Sequence, residues 1–118
     1  MLFRSKKLGL LGTNITEDGL ALLAELPSLT VLNLSYTSVT DRALLHLEGL
    51  EQLDELFLGD TLVTDGGLIH ISRLKQLRGL GLSGTRLHGH GLKHLTKLES
   101  LQRLGLGSTL VEIGRAHV

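Results

Sequence analysis

The run Leu53-Asp54-Glu55-Leu56-Phe57-Leu58-Gly59-Asp60-Thr61-Leu62-Val63-Thr64-Asp65-Gly66-Gly67-Leu68 decides the fold, because it is one unit of a pattern that returns every 24 residues. Its Leu56 heads a column with Leu8, Leu32, Leu80 and Leu104, and its Leu58 one with Leu10, Leu34, Leu82 and Leu106. Thr61 aligns with Thr13, Thr37, Thr85 and Thr109, and Val63 with Ile15, Val39, Leu87 and Val111. Further columns run through Leu20, Leu44, Leu68 and Leu92, through Leu23, Leu47, Ile71 and Leu95, and through Leu26, Leu50, Leu74 and Leu98. So many columns in one register establish an internal repeat.

Each unit changes period inside itself. In Leu29-Thr30-Val31-Leu32-Asn33-Leu34-Ser35, Leu32 and Leu34 alternate with polar or small neighbours, which is a short strand with one buried face. From Thr40 to Leu50 the apolar positions are Leu44, Leu47 and Leu50 with Ala43 beside them, a helical stripe. Thr40 stands where an N-cap belongs and Asp41 where a negative charge favours the helix dipole; Thr16-Glu17 and Thr64-Asp65 repeat the pair. His88-Gly89-His90-Gly91 replaces it in the fourth unit, where a weaker helix start is expected. One strand and one helix cannot bury their own apolar face, whereas stacked neighbours can. The fold class is therefore α/β: a solenoid with parallel strands on its concave face and helices on its convex face.

The pattern Leu53-x-x-Leu56-x-Leu58-x-x-Thr61-x-Val63-Thr64-Asp65-x-Gly67-Leu68 resembles a leucine-rich repeat, whose units run from about 20 to 29 residues. The resemblance covers residues 2–111, about four and a half units, with Thr where the family has Asn or Cys. In the family that side chain bonds backbone groups between successive turns, and the hydroxyls of Thr37 and Thr61 are expected to do so here. The Val-Thr-Asp-x-Gly-Leu tail is most similar to the cysteine-containing subtype, common in F-box receptors of ubiquitin ligases, although no F-box is visible. The resemblance implies a protein-binding solenoid, the recognition segment of a larger protein. A ubiquitin ligase substrate receptor is one version. A receptor ectodomain segment, or an enzyme whose catalytic domain lies outside this segment, are the alternatives.

Composition narrows the classes. The 118 residues carry 12 Lys and Arg against 12 Asp and Glu, so the net charge is +0, and aromatic residues make up 3% with no Trp. Nucleic-acid binding is not expected, because it rests on clustered cations and several stacking rings. With no Cys there are no disulfides, thiol nucleophiles or thiolate metal sites. The apolar run Leu20-Ala21-Leu22-Leu23-Ala24 is far shorter than the roughly 20 residues of a membrane span, and Met1 to Lys7 lacks the apolar core of a signal peptide. A cytoplasmic location is expected. Neither end shows a capping element, so an uncapped fragment is expected. Residues 112–118, Glu112-Ile113-Gly114-Arg115-Ala116-His117-Val118, break every column and resemble the translation of a sequencing adapter, hence a non-native tail.

Candidate sites lie on the strands' outward positions, which line the concave face. Tyr36, Asn33, Glu55, Phe57 and Asp60 gather there, Arg103 follows, and Gly lines the later repeats. Phe57 is the expected anchor, since an exposed aromatic on the outer face fills no core. His46, His70 and His94 share a column and are the candidates for a metal, but helices about 8 to 10 Å apart spread such ligands, so a solvated histidine row and no metal or other cofactor are expected. Gly79-Leu80-Gly81-Leu82-Ser83-Gly84 has the spacing of a dinucleotide fingerprint, but its leucines are the repeat's buried strand positions, not a strand-to-helix turn. Asn14-Ile15-Thr16 and Asn33-Leu34-Ser35 match the glycosylation pattern, with Thr16 and Ser35 already accounted for as cap and concave residue. No nucleophile, base and orienting group stand together, so catalysis is not expected in this segment.

Overall fold

A computed structural model describes residues 7–111. Five three-residue strands, β1 (Lys7–Gly9), β2 (Val31–Asn33), β3 (Glu55–Phe57), β4 (Gly79–Gly81) and β5 (Arg103–Gly105), form one parallel sheet in chain order. The register follows the columns: Leu8, Leu32, Leu56, Leu80 and Leu104 lie side by side. The ladder continues past the strands, with Leu34 N–H donating to the Phe57 carbonyl at 2.8 Å and Leu58 N–H to that of Gly81 at 2.8 Å. It even holds in the turn that follows, where Tyr36 N–H donates to Gly59 and Asp60 N–H to Ser83. That turn is left-handed in every repeat: Gly12, Tyr36, Asp60, Gly84 and Ser108 have φ of 71, 60, 54, 75 and 58°. Three of the five are not glycine, at a cost of about 1 kcal/mol or more each.

The return segments are less α-helical than the stripe suggests. Among the described residues only α1 (Glu17–Leu23) and the single turn α2 (Leu68–Ile71) are α-helix; Asp41–Leu47, Asp65–Gly67 and Leu92–Lys97 are 3-10. Leu44, Leu47 and Leu50 are three apart, which suits the period of a 3-10 turn, and that turn also covers more distance per residue. Leu20, Leu23 and Leu26 keep the same spacing in the α-helical first repeat, so the spacing admits either closure. Successive segments pack on one another in order. Their leucines share one core with the strand leucines: Leu32, Leu56, Leu44, Leu47 and Leu68 are all within 1% of full burial. The sheet is therefore covered on one face and open on the other.

Two expectations about side chains are corrected. The threonine hydroxyls do not bond between turns. Thr13, Thr37, Thr61, Thr85 and Thr109 each donate to the carbonyl three residues back, Leu10, Leu34, Leu58, Leu82 and Leu106, at 2.6–2.7 Å. The Thr side chain is short, so it closes its own turn, and Thr37, Thr61 and Thr85 are buried doing so. Nor does Thr40 cap its helix, although Thr16 and Thr64 accept from Gly19 and Gly66 N–H. The Ala43 N–H bonds the Thr40 carbonyl at 3.1 Å instead of its hydroxyl.

Asp41 and Asp65 do more than complement a dipole: they tie one repeat to the next. The Asp41 carboxylate accepts the Thr64 N–H at 2.7 Å and the Thr64 hydroxyl. Asp65, 6% exposed, accepts the N–H groups of His88 and Gly89 at 3.1–3.3 Å. Gly89 stands where the next Asp would be, and the helical segment there begins only at Leu92, with no side-chain cap. The adapter-like tail, residues 112–118, and the first six residues lie outside the described residues.

Candidate functional site

The open face of the sheet carries two rows set by the strand register. One is Lys7, Val31, Glu55, Gly79, Arg103; the other is Gly9, Asn33, Phe57, Gly81, Gly105. Glycine in β4 lets the neighbours lean inward. A Cβ at Gly79 would stand 3.2 Å from Arg103 Nη2 and 3.4 Å from Glu55 Cγ. Across that gap Arg103 Nη2 donates to Glu55 Oε2 at 2.7 Å, bridging two strands that are not adjacent. A Cβ at Gly81 would stand 3.2 Å from the Phe57 ring.

Phe57 is therefore half-buried rather than freely exposed, with its ring laid over Gly81. It and Arg103 border a shallow depression of ≈ 330 Å³ floored by Gly79, Gly81 and Gly105. The other candidates stand outside it. Tyr36, 62% exposed, and Asp60 project from the left-handed turns at the rim. The Asn33 carbonyl oxygen Oδ1 accepts the Ser35 N–H at 3.0 Å, so this side chain shapes its own turn. The structure thus brings Glu55, Phe57 and Arg103 together and leaves Tyr36, Asn33 and Asp60 around them. The bridge across Gly79 was missed in the sequence. Its signal is present: Glu55, Gly79 and Arg103 are successive members of one column, opposite charges with no side chain between.

The histidine column is not a solvated row. His46 Nε2 lies 3.0 Å from Glu17 Oε2, which Arg42 also approaches at 3.4 Å, and His70 Nδ1 lies 2.6 Å from Glu48 Oε2. His46 and His70 are about three-quarters buried against these carboxylates. In the next loop His90 Nδ1 lies 3.2 Å from Asp65 Oδ2, and its ring stacks on that of His88 with centroids 6.5 Å apart. His46, His70 and His94 do not converge, and among the described residues no three metal-donor side chains gather in one place. Among those residues, too, no helix is long and apolar enough to cross a membrane.

With this geometry in hand the chain compares with solved structures as follows. An internalin from Listeria monocytogenes superposes with a TM-score of 0.75 at 24% identity, over 90% of this chain and 29% of that one. The tropomodulin C-terminal domain of Caenorhabditis elegans gives 0.68 at 16% identity, over 96% and 78%. The plant peptide hormone receptor RGFR1, in complex with RGF2, gives 0.63 at 17% identity, over 88% and 17%. The internalin and the plant receptor are leucine-rich repeat proteins, and this chain has the leucine-rich repeat fold. It spans less than a third of the internalin structure and less than a fifth of the receptor's. No family model matches the sequence, and no curated protein matches it.

Proposed function

We propose that the concave face is a protein-interaction surface centred on the Phe57–Arg103 depression. The observation that carries this reading is the glycine floor of β4 and β5: it leaves backbone and a half-buried ring accessible where a partner's side chain would fit, beside a charge pair that orients it. Aromatic and Arg side chains at the centre of a patch are the usual anchors of such surfaces. One solved structure of similar fold is that of a peptide hormone receptor with a second molecule bound, which supports a peptide or protein as partner. In its finer form the reading is a substrate receptor of a ubiquitin ligase in the cytoplasm, supported by the Val63-Thr64-Asp65-x-Gly67-Leu68 run. Co-purification of ligase subunits with the protein from its own cells tests that form, and their absence from specific complexes refutes it.

The concave reading is tested with a photoreactive residue at Tyr36, on the rim, and another at Leu22, 64% exposed on the helical side. Adducts are expected from position 36 and lost in Phe57→Ser. Equal adducts from both positions, insensitive to Phe57→Ser, overturn it.

A further inference from the structure

The C-terminal ends of the third and fourth helical segments carry a feature that the concave face does not use. Arg73, Lys75 and Lys97 line one depression of ≈ 290 Å³ together with Ile69 and Ser72. Among the described residues none of the three cations meets a carboxylate within 4 Å, whereas Arg42, Arg78 and Arg103 each do. Glu51 and Glu99 occupy the column of Lys75 in the repeats to either side and form no ion pair with it. In a chain of zero net charge, three unpaired cations around one hollow are a local excess.

Helix chemistry does not account for them. A cation favours a helix C-terminus, but the column of Arg73 and Lys97 holds Glu25 and Gly49 in the earlier repeats, which also form helical segments, α in one and 3-10 in the other. The fold therefore does not require basic residues here. Among the cations stands Ile69, an apolar side chain from another column, 41% exposed. Ser72 is buried with its hydroxyl donating to the Ile69 carbonyl at 2.6 Å, so it shapes the hollow without competing for a ligand.

We propose that this depression is a second docking site, one that takes an acidic peptide segment of a protein partner. Its carboxylates lie on Arg73, Lys75 and Lys97, and an apolar side chain lies on Ile69. Charge complementarity selects the acidic segment, and the apolar Ile69 distinguishes it from a bare anion. The site is independent of the concave face.

The test uses the full chain and fluorescence anisotropy with a labelled peptide of alternating Glu and Leu, and a matched peptide with Gln for Glu. The Glu peptide binds and the Gln peptide does not. Arg73→Glu weakens binding about tenfold, Arg73→Gln less, and Arg42→Glu, an equal charge change in the preceding repeat and outside the hollow, leaves it within about twofold. Phe57→Ala leaves it unchanged. Equal binding of the Gln peptide, equal losses in Arg73→Glu and Arg42→Glu, or abolition by Phe57→Ala each overturn the proposal. Binding to phosphatidylserine vesicles without binding to the Glu peptide overturns it as well, in favour of a lipid surface.

Discussion

Replacing Asp65 by Ala removes the acceptor that joins the third repeat to the fourth. The carboxylate is 6% exposed and receives the His88 and Gly89 N–H groups, with His90 Nδ1 at 3.2 Å. A hydrogen bond to a charged group contributes about 1.5 to 3 kcal/mol. The contacts here are long, at 3.1–3.3 Å, which puts each amide near the lower limit. Two such amides give an expected loss of about 2 to 4 kcal/mol for Asp65→Ala. Asp65→Asn keeps one acceptor oxygen and should lose about half of that. Because a solenoid's stability is close to a sum of nearest-neighbour terms, the loss falls on the contact between these two repeats. Urea denaturation of the full chain at pH 7 reads the total, and amide exchange at His88 and Gly89 reads the place. If Asp65→Ala lies within about 0.5 kcal/mol of the parent and those two amides exchange at unchanged rates, the carboxylate is not a tie between repeats.

Leu56→Ala, at a position with no exposure, is expected to cost about 2 to 5 kcal/mol, while Gly81→Ala costs less than about 1, since only the movable Phe57 ring stands in the way; equal shifts in denaturation midpoint would mean that the strand faces are reversed. Gly91→Ala behaves differently, because its Cβ would lie 2.7 Å from the Asp65 carbonyl oxygen; a loss of about 1 to 3 kcal/mol is expected, and a neutral result in thermal melting refutes close packing of these repeats. Tyr36→Gly relieves a left-handed non-glycine residue, so stability should hold or rise by up to about 1 kcal/mol; a lower melting temperature refutes the turn assignment. Amides around Leu92 should exchange faster than those around Gly67, where Thr64 caps the segment, and the reverse order would count against a weakened fourth start.

The repeat, the parallel order of the strands and the buried leucines were legible in the sequence, because a fixed period forces equivalent residues into equivalent places and only one face of each column is apolar. Leu32, Leu56 and Leu80 pair as their spacing requires. The nature of the return segments was legible only in part: the three-residue leucine spacing was visible, but the same spacing serves α1 and the 3-10 segments, so which closure forms depends on packing against the neighbouring repeats, which is a tertiary matter. The site shows the same division. Phe57 and Arg103 could be placed on the outer face from alternation alone. That Arg103 reaches Glu55 across Gly79, and that Phe57 lies down over Gly81, depends on side chains leaning sideways between strands, which no period along the chain records. The pairings of Asp41 with Thr64 and of His70 with Glu48 are likewise contacts between repeats; sequence placed these residues in columns, and only the stacking distance decided which neighbour each one meets.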